Sequence, residues 1–129
     1  MTPLDLAKAF VAKGREDESL LVAGLEDERI SDAIFGFHAQ QAVEKYLKAV
    51  LATDQEKPER THDLDVLIEQ CRRSGHAYPE DLREVADLSR YAVQERYPLA
   101  VTPPIDRVEA IKQVVAVREW AHKEIAEST

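Results

Sequence analysis

The stretch SDAIFGFHAQQAVEKYLKAVLAT, residues 31–53, decides the fold class. It holds no proline and a single glycine, Gly36. Phe35, Ala39, Ala42, Val43, Tyr46, Leu47, Val50 and Leu51 recur at intervals of three and four, the period of one broad buried face of an α-helix. Ser31 or Asp32 supplies the side-chain oxygen that caps its first turn. A helix from Ala33 to Thr53 with so wide an apolar face needs other helices around it, because its backbone has no pairing left to offer a sheet.

Working outward, each flank reads as helix too. Thr2 caps a segment running from Pro3 to about Leu25, with proline at the first helical position and Leu6, Phe10, Ala12, Leu20, Leu21 and Leu25 as its stripe. Gly14 within it costs about 1 kcal/mol and offers a place to break it in two. After the polar, proline-containing loop at residues 54–60, Thr61 opens a third helix with Leu64, Leu67, Ile68 and Cys71 inside, ended by Ser74 and Gly75. A fourth helix enters through Pro79, Glu80 and Asp81, acids that suit a helix N-terminus. It carries Leu82, Val85, Leu88, Tyr91 and Ala92 before Tyr97 and Pro98 stop it. The fifth, from Ile105 to about Ile125, buries Ile111, Val114, Val117, Ala121 and Ile125. Val108, Val115 and Trp120 lie off that face and mark a second apolar surface. The expectation is a single domain over residues 1–129, all-α, an up-and-down bundle of four to five helices.

Composition bounds the function. The 129 residues carry 17 Lys plus Arg against 25 Asp plus Glu, a net charge of −8, which disfavours broad nucleic-acid binding. No apolar run approaches the roughly 20 residues of a membrane span, and the N-terminal residues do not read as a signal peptide. The single cysteine excludes an internal disulfide and suits a reducing cytoplasm. There is no Gly-rich phosphate loop, paired-cysteine metal site, zinc-protease helix or nucleophile elbow. The four histidines, His38, His62, His76 and His122, are scattered along the chain, so neither a metal site nor a cofactor is expected.

One strip is less ordinary. Gln41, Glu44, Lys45 and Lys48 are helical neighbours on a segment otherwise built for burial. They form either a solvated face or a polar site. Arg96 and Tyr97 offer a planar fork and a ring for an anionic ligand, or else pack structurally at a Pro98-terminated helix end. His62 reads as a hydrogen-bonding residue near the third helix's start or as part of that site.

These blocks resemble a known family. Phe37-x-Ala39-Gln40-Gln41-Ala42-x-Glu44-Lys45, then Thr61-His62-Asp63-Leu64, then Tyr91-Ala92-Val93 with Arg96-Tyr97-Pro98, are similar in order and spacing to the HEPN family, helical domains often encoded beside small nucleotidyltransferases. The resemblance implies a dimeric bundle that serves as an accessory or interaction module to a nucleotidyltransferase. From their placement, Lys45 beside the buried stripe and Arg96 and Tyr97 at a proline-ended helix, with His62 nearby, are expected to line one polar cleft for a nucleotide or other anion, with Gln41, Glu44 and Lys48 supporting them. Some members are ribonuclease toxins of toxin–antitoxin pairs, carrying Arg, four to six residues, then His. This chain departs from that pattern: no histidine follows Arg90 or Arg96 in range, and Arg72–His76 and Arg118–His122 leave three residues between. No catalytic residue is assigned, and a metal-independent ribonuclease is the alternative reading. A purely structural dimer is the third.

Overall fold

A computed structural model describes residues 1–92 and 103–128. The described residues form helices α1 (Pro3–Ala23), α2 (Asp32–Thr53), α3 (Leu64–Arg73), a 3₁₀ helix (Glu80–Tyr91) and α4 (Arg107–Glu127), with no strand among them. Thr2 and Asp5 build a full capping box on α1, each side chain taking the other's backbone N–H. Ser31 caps α2 through the Ile34 N–H. The cap of α3 is Asp63, two residues later than expected; Thr61 instead takes the Asp63 N–H and shapes the turn that leads in. Gly75 follows Ser74 at φ +100°, the left-handed conformation that ends a helix without cost only in glycine.

Helix α2 is central and touches every other element. All eight of the apolar residues named for its face are buried. Helix α1 runs antiparallel to it, with Gly14 against Tyr46 and Asp17 against Lys45 and His38. Helix α4 runs parallel to α2, tied at one end by Arg107 to Asp32 and near the other by Ser128 to Thr53. The connection after α2 doubles back along α3, where Gln70 holds the Lys57 carbonyl and the Glu59 N–H. It therefore delivers His62 beside Gln40, and α3 sets off in the same direction as α2.

Two stretches differ from the periodic reading. On α1 the buried residues are Ala7, Gly14, Asp17, Glu18 and Leu21, while Leu6 and Ala12 face outward. At Gly14, helix α2 comes so close that a Cβ would meet the Tyr46 ring, and the acids Asp17 and Glu18 are buried with partners from α2 and α4, while Leu21 keeps its place in the core. The segment expected as a fourth α-helix is 3₁₀ over twelve residues, unusually long for that geometry. Its stripe explains this: Leu82, Val85, Leu88 and Tyr91 repeat every three residues, and three residues per turn keeps all of them on the core side. Tyr91 ends the stripe with its ring on Gly36 of α2, where a Cβ would lie 2.3 Å from the ring.

The loop between α1 and α2 is gripped from α4. The Arg107 guanidinium donates to the carbonyls of Gly24, Asp27 and Ile30 and to the Asp32 carboxylate, and lies 4.8 Å from the Phe35 ring centre. Trp120, expected on a second apolar surface, instead points inward: it is 8% exposed, packs edge-on against Tyr78 and donates its indole N–H to the Ala77 carbonyl. Val115 is half-buried and Val108 is 52% exposed.

Gly14 gives a test of the close helix contact. Propensity alone favours Gly14→Ala by about 1 kcal/mol. The added Cβ, however, would meet the buried Tyr46 ring at 2.6 Å, and overpacking costs about 1–3 kcal/mol. Urea unfolding is expected to show Gly14→Ala less stable than the native chain; a gain in stability would mean the contact is looser than described.

Candidate functional site

The polar residues of α2 split into three separate networks, each on its own side of the helix. The first faces α1. Lys45 Nζ donates to Asp17 Oδ2 at 2.5 Å and His38 Nδ1 pairs with Asp17 Oδ1 at 2.8 Å. The internal partner of Lys45 is thus an α1 acid and not its sequence neighbour Glu44. The second lies deeper: the Tyr46 hydroxyl donates to Glu18 Oε1 at 2.8 Å, and Arg118 of α4 pairs with Glu18 Oε2. Burial and the Glu18 carboxylate push the Tyr46 hydroxyl well above the usual tyrosine range.

The third network faces the returning loop and holds His62. Glu44, 4% exposed, takes the His62 Nδ1–H at 2.8 Å and the Gln40 amide at 3.0 Å on Oε1, and Lys48 at 2.9 Å on Oε2. Gln40 is wholly buried and also donates to the His62 carbonyl at 2.9 Å. Gln41 donates to Gln40 Oε1 at 2.8 Å, which fixes the way the Gln40 amide points. Burial raises the Glu44 carboxyl, but the hydrogen bonds from Lys48, Gln40 and His62 outweigh it and hold its pKa below the ordinary value. Just beyond His62, the Leu64 N–H donates to Ser89 of the 3₁₀ helix.

Of the expected site residues, Gln41, Glu44, Lys48 and His62 therefore come together. Lys45 belongs to the Asp17 network. Arg96 and Tyr97 lie outside the described residues. Asp17 and Glu18 are polar members that the sequence reading did not single out, and Gln40 and Arg118 were named only in the family block and in an arginine–histidine spacing. For the acids, the signal was their place between Gly14 and Leu21 on the face that α2 covers. For Gln40, it was a glutamine one turn before Glu44 on a buried helix.

Each of the two nearest arginine–histidine spacings has one member drawn inward and one exposed, Arg72 or His122. Arg118 serves Glu18, and its neighbour His122 is exposed beside an apolar groove of about 410 Å³ lined by Leu4, Lys8, Val11, Ile125 and Ala126. His76, 8% exposed, sits between two acids, its Nε2 2.6 Å from Asp54 and its Nδ1 2.9 Å from Glu124. Cys71, inside the bundle, has its thiol pushed up to about 12 by burial first and by Asp54 and Glu124 second, so it stays protonated. Among the described residues no group of histidines, cysteines and acids is arranged to hold a metal ion, and no helix is long and apolar enough to cross a membrane.

His76 gives a pH test. Burial lowers its pKa, but the hydrogen bonds its ring donates to Glu124 and Asp54 outweigh it and the result is raised. An unfolded histidine titrates near about 6.5, so the stabilisation is complete below that pH and disappears as pH rises through the folded value. The stability gap between the native chain and His76→Gln is expected to narrow as pH is raised from about 6.5 into the alkaline range. A gap that stays constant across that range would show that His76 is not held as the cation.

The comparisons agree with the geometry of the bundle. The HEPN domain profile matches residues 7–125, from the first buried residue of α1 to the last of α4. No curated protein and no solved structure matches the chain. With nearly its whole length covered by that profile, the chain belongs to the HEPN domain family.

Proposed function

We propose that this protein is a HEPN accessory module that works by association: a homodimer that serves a small nucleotidyltransferase and takes a nucleotide or similar anionic ligand. One observation carries the choice over a ribonuclease toxin. Arg118 and His76, members of the two nearest arginine–histidine spacings, are consumed by Glu18 and by the Asp54–Glu124 pair. Metal-independent RNA cleavage needs a cation on the phosphate and a base at the 2′-hydroxyl. Here one member of each spacing holds the bundle together, while the other, Arg72 or His122, is exposed.

The ligand reading rests on Arg96 and Tyr97, with His62 fixed against α2 on the same path of the family pattern. Lys45 contributes only what Asp17 leaves it: an ammonium has three donors, and its side chain is 26% exposed. Dimerisation is supported by apolar surface exposed among the described residues on α1 and α4, namely Leu6 and Val108, and by the groove beside them that Leu4 and Val11 line. The nucleotidyltransferase is the partner that the family resemblance implies.

Three measurements test this. Sedimentation at micromolar concentration is expected to give twice the 14.6 kDa chain mass; a monomer alone would count against association. Where a small nucleotidyltransferase is encoded beside this chain, co-expression of the two is expected to yield a complex that survives size exclusion, and separate elution would remove the partner. The purified chain is expected to leave RNA intact. Cleavage that vanishes in His62→Ala would replace this reading with the ribonuclease one.

A further inference from the structure

We infer that the outer face shared by α1 and α4 is where two copies of this chain meet, stacked antiparallel about Val115; this rests on the dimer reading above. On α1, Leu4, Val11 and Val22 fall within about 20° of one another around the helix, and on α4 Val108 and Val115 do the same. The two helices lie side by side and run in opposite directions, with Arg107 at the Gly24 carbonyl and Leu4 in one groove with Ile125 and Ala126. Their stripes therefore share one surface. Val22 is 61% and Val108 52% exposed, while Leu4, Val11 and Val115 are half-buried. Each helix has 21 residues, so it is about 31 Å long, and packed helices stand about 8–10 Å apart. The face is then about 600 Å² on each copy, and two copies bury about 1,200 Å², enough for a specific interface.

The charges on this face select a second copy and its direction. Lys112 and Glu119 lie on the same side of α4 as Val115, about one turn before and one turn after it. Both are exposed, and neither is within ion-pair distance of another described residue. A copy laid antiparallel across a two-fold axis at Val115 brings Lys112 to the partner's Glu119, and the symmetry makes the pair twice. A parallel stack would set lysine against lysine and glutamate against glutamate. Carried across to α1, the same axis places Val11 against the partner's Val22. It also brings the groove of Leu4 and Val11, whose ionisable lining residues are Lys8 and His122, toward the end of the partner where Glu26, Asp27 and Glu28 flank Val22. One arrangement satisfies the apolar stripes and the charges together.

Charge reversal at the exposed pair reads this directly, with sedimentation as the measurement and circular dichroism to show that each variant keeps its helices. In Lys112→Glu alone or Glu119→Lys alone both cross-pairs become repulsive, and the dimer dissociation constant is expected to rise about tenfold or more. Mixed in equal amounts, the two variants are expected to form a heterodimer as tight as the native dimer, because each then carries the charge the other lacks. Single variants that dimerise as tightly as the native chain would overturn this face and leave the dimer reading standing. A loss that mixing does not restore would overturn the antiparallel stack. A native chain that stays monomeric at micromolar concentration leaves the face to a different protein partner, and removes the dimer reading and this inference with it.

Discussion

A buried carboxylate, Glu18, joins the three long helices. It lies on α1, takes the Tyr46 hydroxyl from α2 and is neutralised by Arg118 from α4. A charge in that position is costly unless every lone pair finds a partner, and removing one partner strands the others. The contact exists only because Gly14, one turn earlier, lets the Tyr46 ring lie against the α1 backbone. Shape and charge are therefore one constraint: the glycine sets the distance, and the distance brings the hydroxyl to the acid. Arg107 performs the complementary task at the other end of α4, where it collects the carbonyls of the α1–α2 loop. Two arginines of one helix thus set its position against the α1–α2 pair.

Much of this bundle was legible because α2 announces itself. Its apolar residues at helical spacing were sufficient to predict the class, and helix ends marked by Thr2, Ser31 and Gly75 follow from capping chemistry alone. What misled was the assumption that helices meet through large apolar residues. Leu6 and Ala12 of α1 face outward, and the buried residues are Ala7, Gly14, two acids and, of the expected stripe, Leu21 alone. Nothing in α1 alone declares that Asp17 and Glu18 have partners; these come from residues 21 to 100 positions away. Trp120 misled in the same way. Read on a helical wheel it lies off the buried stripe, but Tyr78 and the Ala77 carbonyl come to meet it.

The candidate site was half legible. Gln41, Glu44 and Lys48 share a helix face by spacing, and that face survives in the fold. The arrival of His62 on it depends on the loop after α2 doubling back, which no local pattern encodes. Lys45 looked like a member because it is adjacent in sequence, but one residue turns an α-helix by about 100°. That rotation hands it to Asp17 of α1.

The 3₁₀ helix has a consequence in reach. Twelve residues at about 2.0 Å each extend about 24 Å, where an α-helix would cover about 18 Å. The chain thereby travels roughly one further α-turn along α2 before Tyr91 meets Gly36. The same geometry makes the segment intolerant of length change. Adding or deleting one residue rotates everything after it by about 120°, carrying Tyr91 away from Gly36 and Leu88 out of the core. Natural length variation in this domain should therefore avoid the 80–91 stretch or come there in threes, a whole 3₁₀ turn at a time.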